Sequence, residues 1–166
     1  IERDLFGKKH DRVETAIKRF KTFEPAEGYY LADSGGKDST AVRALARMAG
    51  VRFDSHYNVT TIDPPALVRF IREKHQETIF ERPELSMREL IVRKQFPPTR
   101  IQRYCCAELK EAKGAGRVVV TGVRWAESAR RRKNKGIVNI SGSSVFETAE
   151  KLNVVAVSYT HLTLPT

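Results

Sequence analysis

Residues 29–40 read YYLADSGGKDST, and the reading of this stretch decides the fold. Tyr29, Tyr30, Leu31 and Ala32 are a short apolar run of the kind that becomes a buried strand. Ser34-Gly35-Gly36-Lys37-Asp38-Ser39 then turns the chain, and Ala41, Val42, Leu45, Ala46 and Ala49 recur at helical spacing. A strand, a glycine turn and a helix N-terminus in succession make an anion site. The glycines let the backbone approach a ligand closely, and the unpaired N–H groups of the first helical turn point toward it. Lys37 adds charge and Ser39 a hydroxyl donor. Ser34, Gly35, Gly36, Lys37, Asp38 and Ser39 are therefore the candidate anion-binding residues. The stretch is not a Walker A loop, because that pattern needs four residues between its glycines and these two are adjacent.

Working outward, Leu5 to Phe23 predicts an amphipathic helix with Val13, Ile17 and Phe20 on one face. Pro25 and Gly28 break the chain before the first strand. Gly50 suits a helix C-terminus, and Phe53 to Val59 predicts a second strand. Asp63 predicts a helix cap with Pro64 at the first helical position, and Leu67, Phe70 and Ile71 give that helix a buried face. Thr78 to Phe80 predicts a third strand, and Ser86-Met87-Arg88-Glu89 a capping box. Pro97-Pro98 ends that helical segment. Arg103 to Glu111 predicts a helix, and Val118-Val119-Val120 a buried strand. Strands alternating with helices predict an α/β fold, a mostly parallel sheet with helices on both faces. Ligands of such sheets sit outside the carboxyl ends of the strands. The glycine loop lies at such an end, and so does Thr121-Gly122-Val123-Arg124.

The chain of 166 residues is long enough for one domain, expected over residues 1–156, with a core of its own. Hydrophobic residues at 40% and charged residues at 30% fit a soluble globular protein, for which a cytoplasmic setting is the expectation. No apolar run is long enough to span a bilayer. A net charge of +10 favours polyanionic partners: nucleotides, nucleic acid or acidic surfaces. The basic run Arg130-Arg131-Arg132-Lys133-Asn134-Lys135 extends that potential, without the aromatic surface that reads single strands. The adjacent Cys105 and Cys106 make no disulfide framework. Their thiolates are soft ligands for iron–sulfur clusters or zinc, but a closed site needs about four ligands. His10, His56 and His75 are scattered and suggest no histidine-based site.

The SGGKDS stretch resembles the SGGxDS loop of the PP-loop nucleotide-binding superfamily, which includes ATP pyrophosphatases and the phosphoadenylyl-sulfate (PAPS) reductase group. Residues 121–131, TGVRWAESARR, resemble the G-hydrophobic-R-x-x-x-S-x-x-R stretch of the PAPS and adenylyl-sulfate (APS) reductases, with Gly122, Arg124, Ser128 and Arg131 matching. Residues 59–70, VTTIDPPALVRF, align with their D-T-G-x-x-F-P-E-T-x-x-F stretch. Thr60, Pro65 and Phe70 match there, while Val59, Thr61 and Ala66 replace Asp, Gly and Glu. The resemblance implies the adenine nucleotide alpha-hydrolase-like, Rossmann-like fold. It also implies binding of PAPS, APS or ATP by the loop, Thr60, Gly122, Arg124, Ser128 and Arg131, and reduction of the adenylyl sulfate to sulfite. In that family a cysteine on a C-terminal tail attacks sulfur, and a thioredoxin- or glutaredoxin-like thiol partner releases sulfite. Neither Cys105 nor Cys106 matches that nucleophile, so the catalytic residue is unknown. The pair resembles instead the Cys-Cys half of a 4Fe-4S site.

Two alternatives stay open. One is an ATP pyrophosphatase-type enzyme that adenylates a nucleic acid for sulfur modification and uses Mg²⁺. The other is a non-catalytic nucleotide-binding accessory protein. Residues 157–166, VSYTHLTLPT, resemble a translated sequencing adapter, so the domain is expected to be truncated at its C-terminus. Ile137 to Ala156 matches no motif.

Overall fold

The computed structural model describes residues 2–3, 9–111, 114, 116–122, 138–141 and 149–153. Glu2–Arg3 (β1) pairs antiparallel with Lys9–His10 (β2). The first helix, α1, spans Arg12–Thr22, not the whole of 5–23 as expected. Asp11 sets its start: the carboxylate accepts from the N–H of Val13 at 2.9 Å and of Glu14 at 3.2 Å, so two orphan donors are satisfied there.

Tyr29–Ala32 is β3 and Lys37–Ala49 is α2, which ends on Gly50 in the left-handed conformation at φ 69°. Phe53–Asn58 (β4), Pro65–Lys74 (α3) and Ile79–Glu81 (β5) follow. Met87–Lys94 (α4) starts with the expected capping box of Ser86 and Glu89. Tyr104–Cys106 (α5) runs directly into a π-helical turn over Ala107–Glu111, where a regular helix was expected. Val118–Thr121 (β6), Val138–Ser141 (β7) and Ala149–Asn153 (β8) follow among the described residues. Among the described residues no helix is long and apolar enough to cross a membrane.

Among the described residues the main sheet has six strands, in the order β5-β4-β3-β6-β8-β7. Every neighbouring pair is parallel except β7 with β8. The chain moves outward from β3 to β4 to β5, then returns to place β6 on the other side of β3. The carboxyl ends of β3 and β6 thus flank a switch in strand order, where an open parallel sheet leaves a crevice. The fold is Rossmann-like α/β.

Side-chain alternation along β3 divides the two faces. Tyr29 and Leu31 point into a core with Ala16 and Phe20 of α1, Val42, Leu45, Ala46 and Ala49 of α2, and Val120 of β6. The Tyr29 hydroxyl donates to the Phe20 carbonyl at 2.7 Å, so this fully buried phenol keeps a partner. Tyr30 and Val119 face the other way. There the segment leading into β6 crosses the sheet: Gly114 lies against Val119 and Tyr30, and Asn58 donates to the Lys110 carbonyl at 3.0 Å.

That second face is polar for a sheet interior. Tyr30 stacks on His56 with ring centroids 4.0 Å apart, and its hydroxyl, which donates to Asn58, is pushed up to about 12 chiefly by burial. His56 lies between two carboxylates, Nδ1 at 2.9 Å from Glu81 and Nε2 against Asp54. Arg117 grips Asp54 with both terminal nitrogens, one at 2.7 Å, and the Gly28 carbonyl at 3.1 Å.

Asp63 was expected to cap α3, but Pro64 is the capping residue and makes no side-chain cap bond. The Asp63 carboxylate turns back instead, accepting from the Thr60 N–H and the Thr60 hydroxyl, each at 2.7 Å. Next to it Thr61 has φ 66°, a conformation that a β-branched residue rarely adopts. Its hydroxyl accepts the Met87 N–H at 2.9 Å, one of the orphan donors of α4. Strain at Thr61 is thus offset by a bond that glycine could not make. Thr61→Val, which keeps the strain and loses the acceptor, should lower stability by about 1–2 kcal/mol in urea unfolding. Thr61→Gly should stay within about 1 kcal/mol of wild type, because relief and loss nearly cancel.

The Arg117 hydrogen bonds are the largest cause of lowering at Asp54; burial opposes them, His56 adds to them, and the carboxyl is held at about 2, below its ordinary 3.8. A depressed carboxyl stabilises the fold above the unfolded value, and that stabilisation is lost as pH falls through the folded value. Asp54 is partly exposed, so salt screens the effect. Thermal melts between about pH 4 and pH 2 should show a loss of stability that is smaller in Asp54→Asn and smaller in high salt.

Candidate anion-binding site

The site is built where β3 ends. Asp33, the first residue past the strand, is buried, and its backbone N–H still donates to the His56 carbonyl of β4 at 2.8 Å. One carboxylate oxygen accepts the Gly35 N–H at 2.8 Å, closing a tight turn. Gly35 sits at φ +67°, and a Cβ there would come within 2.8 Å of Leu67 and Ile71 of α3. Only glycine suits the position, on conformation and on space. Gly36 is the N-cap of α2 and offers no side-chain cap bond, so the N–H groups of the first turn have no side-chain partner of the capping kind. Ser34, Gly36 and Lys37 are exposed, and Asp38 is half-buried.

Ser39 is turned inward. It is 6% exposed, and its hydroxyl donates to the Gly36 carbonyl at 2.9 Å. Ser34 reaches it at 3.4 Å, a weak contact. Thr40 also donates to the Gly36 carbonyl, at 3.0 Å. In this arrangement the Ser39 hydroxyl braces the turn, where the sequence suggested a donor to a ligand. The chain brings Gly122, at the end of β6, onto the same first turn: a Cβ there would lie 3.1 Å from Val42 and 3.3 Å from the Asp38 carbonyl. Gly122 and the loop are therefore neighbours across the switch point, as their positions at two strand ends predict. Thr60 stands beyond the end of β4 at the same edge of the sheet, but both of its donors are committed to Asp63. Arg124, Ser128 and Arg131 lie outside the described residues, as does the basic run that follows them.

Sequence reasoning passed over the groups that hold the loop from beneath. His75, the C-cap residue of α3, is 2% exposed and places Nδ1 at 2.5 Å from the second oxygen of Asp33. The Thr78 hydroxyl stands 3.5 Å from the same oxygen and donates to Ser55 at 3.1 Å. Arg43 of α2 is buried with Nη1 at 4.0 Å from Asp33 and 3.8 Å from Glu77, and its Nη2 donates to the Lys74 carbonyl at 3.4 Å. Burial alone would raise the Asp33 carboxyl, but the Gly35 N–H and His75 hold it below its ordinary value. The histidines looked scattered, yet 42 positions of separation close to one contact. The faint signal was an acid immediately before the glycine turn.

Cys105 packs against the cluster of Met87, Leu90 and Leu109, and burial, then Cys106, pushes its thiol up. Arg103 donates to the Cys106 sulfur at 3.3 Å. Among the described residues no group of three histidine, cysteine or carboxylate side chains could hold a metal ion. Cys105 and Cys106 would supply two of the four thiolates that a 4Fe-4S cluster takes.

No family model matches the chain, and no curated protein matches it. Among solved structures it is similar to the FMN adenylyltransferase of Candida glabrata in complex with FMN and the ATP analogue AMPCPP. The TM-score is 0.51 at 12% identity, over 87% of this chain and 51% of that one. At that identity the likeness is one of fold, a parallel α/β sheet. The chain spans about half the length of the structure it matches.

The loop geometry makes a sharp contrast testable. Gly35→Ala should cost about 1–3 kcal/mol of stability in denaturant unfolding, because the new Cβ meets α3 in a disfavoured conformation. Gly36→Ala, where a Cβ has no atom nearer than 3.4 Å, should cost less than about 1 kcal/mol.

Proposed function

We propose that the chain is the adenine-nucleotide-binding domain of a PP-loop-type enzyme. The observation that carries the reading is the SGGKDS turn at the switch point: an N-terminus of α2 without a side-chain cap, braced by Asp33 and faced by Gly122. Such a turn holds an anionic group through fixed backbone N–H donors that need no reorganisation when charge arrives. Lys37, exposed at the first position of α2, adds a positive charge beside them. Arg124 and Arg131 would complete the clamp through planar, two-pronged contacts.

Two chemistries use such a site. The match at Ser34–Ser39 and at Gly122, Arg124, Ser128 and Arg131 favours a sulfonucleotide, with the full-length protein reducing an adenylyl sulfate to sulfite at the expense of a thiol partner. In that reading the domain holds the nucleotide, and the attacking thiol is neither Cys105 nor Cys106. The fold shared with an adenylyltransferase solved with an ATP analogue favours adenylyl transfer from ATP instead. Mg²⁺, expected in that case, would supply charge neutralisation at the phosphates. Asp38 is the first-turn carboxylate of α2.

Isothermal titration with PAPS, APS and ATP, each with and without Mg²⁺, tests the reading. Lys37→Ala should weaken binding of the preferred nucleotide by about 1.5–3 kcal/mol, roughly tenfold to a hundredfold. Unchanged affinity in that variant, or no binding of any of the three by wild type, would remove the site. Binding of PAPS or APS without metal supports the reductase reading. Binding of ATP that requires Mg²⁺, with release of pyrophosphate, supports adenylyl transfer.

A further inference from the structure

We propose that His75 is a positioning residue for the anion loop, acting through Asp33 to fix the backbone of the glycine turn in its binding-competent form. The inference rests on the nucleotide-binding reading above and names a residue that touches no ligand itself.

Two glycines in succession have more backbone arrangements open to them than any other pair. A turn that must present several N–H groups to one anion needs a device that selects one arrangement. Asp33 is that device on the near side, through its bond to the Gly35 N–H at 2.8 Å. A carboxylate holds such a bond in a fixed direction only if its other oxygen is also held. His75 holds it at 2.5 Å, with both side chains essentially unexposed. The carboxylate can only accept, so Nδ1 is the donor.

His75 is in turn fixed by its place in the fold. Its N–H donates to the Ile71 carbonyl at 2.8 Å, and the Phe70 ring packs edge-on at 5.3 Å. The same helix presses Leu67 and Ile71 onto Gly35. α3 therefore grips the loop twice, once by apolar contact at Gly35 and once by a hydrogen bond beneath it. The charged neighbours of the pair are Arg43, 4.0 Å from Asp33, and Glu77, 3.8 Å from Arg43, so the carboxylate is balanced rather than isolated. Loss of His75 leaves Asp33 with a single firm tether and lets the turn sample arrangements that do not bind. Affinity falls by the fraction of molecules no longer competent.

The test uses the whole chain, with ATP and PAPS as probes. It follows affinity by titration calorimetry and the Gly35 backbone amide by NMR in wild type, His75→Leu, His75→Asn and His75→Gln. Asn places an amide N–H near the Nδ1 position, and Gln places it near Nε2. His75→Leu and His75→Gln should bind about tenfold more weakly with a displaced Gly35 resonance, while His75→Asn stays within about threefold and keeps the resonance. Phe20→Leu, which loosens the core on the α1 side, controls for general destabilisation and should leave affinity unchanged. Wild-type affinity in His75→Leu, an equal loss in His75→Asn, or an equal loss in Phe20→Leu would each overturn the proposal. Should His75→Leu fail to fold, the contrast between Asn and Gln decides. Should wild type bind neither probe, the nucleotide reading fails. The Gly35 resonance then judges the latch alone: displaced in His75→Gln but not His75→Asn supports it, and unmoved in both overturns it.

Discussion

A carboxylate buried beneath a turn of two glycines must be satisfied on every side, and the Asp33 carboxylate meets that constraint with groups from four elements. The Gly35 N–H comes from the turn itself, Arg43 from α2, His75 from the end of α3 and Thr78 from the entry to β5. An isolated charge at this depth would cost several kcal/mol, and breaking a buried pair by removing one partner costs about 3–5 kcal/mol. The relative placement of strand end, loop and two helices is therefore coupled through a single side chain. The apolar core beneath α1 and α2 supplies most of the burial. The Asp33 network supplies the specific register of the loop.

The loop follows from the sheet topology and carries Ser34, Gly36 and Lys37 exposed. Strands run outward from β3 to β5, and β6 then enters on the opposite side. The chain leaves β3 toward β4 on one side and comes back from β5 into β6 on the other, which opens a crevice at the carboxyl ends of β3 and β6. Gly122 can approach the first turn of α2 because it carries no side chain to meet Val42 and the Asp38 carbonyl. The second face of the sheet follows a different logic. Its alternating positions carry Tyr30, Asp54 and His56, stacked and hydrogen-bonded to one another and to Arg117 of the segment that leads into β6. A polar layer of this kind fixes orientation more than it adds stability.

Departures from the reductase pattern at residues 59–70 acquire a structural meaning. Thr61 occupies a backbone conformation that suits glycine and uses its hydroxyl to serve the N-terminus of α4. Asp63 gathers the two donors of Thr60. This corner is thus internally satisfied, and its polar groups are spent on the protein's own backbone. The loop at Ser34–Lys37 is built differently, with exposed residues and a helix start without a side-chain cap. One corner is closed on itself, and the other presents a glycine turn to solvent.

The sequence by itself determined what depends on neighbours along the chain. The apolar run Tyr29–Ala32, the glycine turn, the helical spacing after Lys37 and the capping box at Ser86 are local patterns, and each forms as read. The start of α1 was misplaced because Asp11, a good cap, lay inside a longer amphipathic pattern. β7 and β8 went unread because residues 137–156 carry no strong strand signal of their own, and β8 is defined by pairing with β6. Sequence gives the Ser39 hydroxyl but not its direction, which in the structure is toward the Gly36 carbonyl. Only the tertiary structure decided that His75 meets Asp33 across 42 positions, and that Arg43 and Thr78 arrive at the same oxygen. Such contacts are set by where helices and strands dock, and docking is a property of whole faces. One residue in a string of letters carries no record of it.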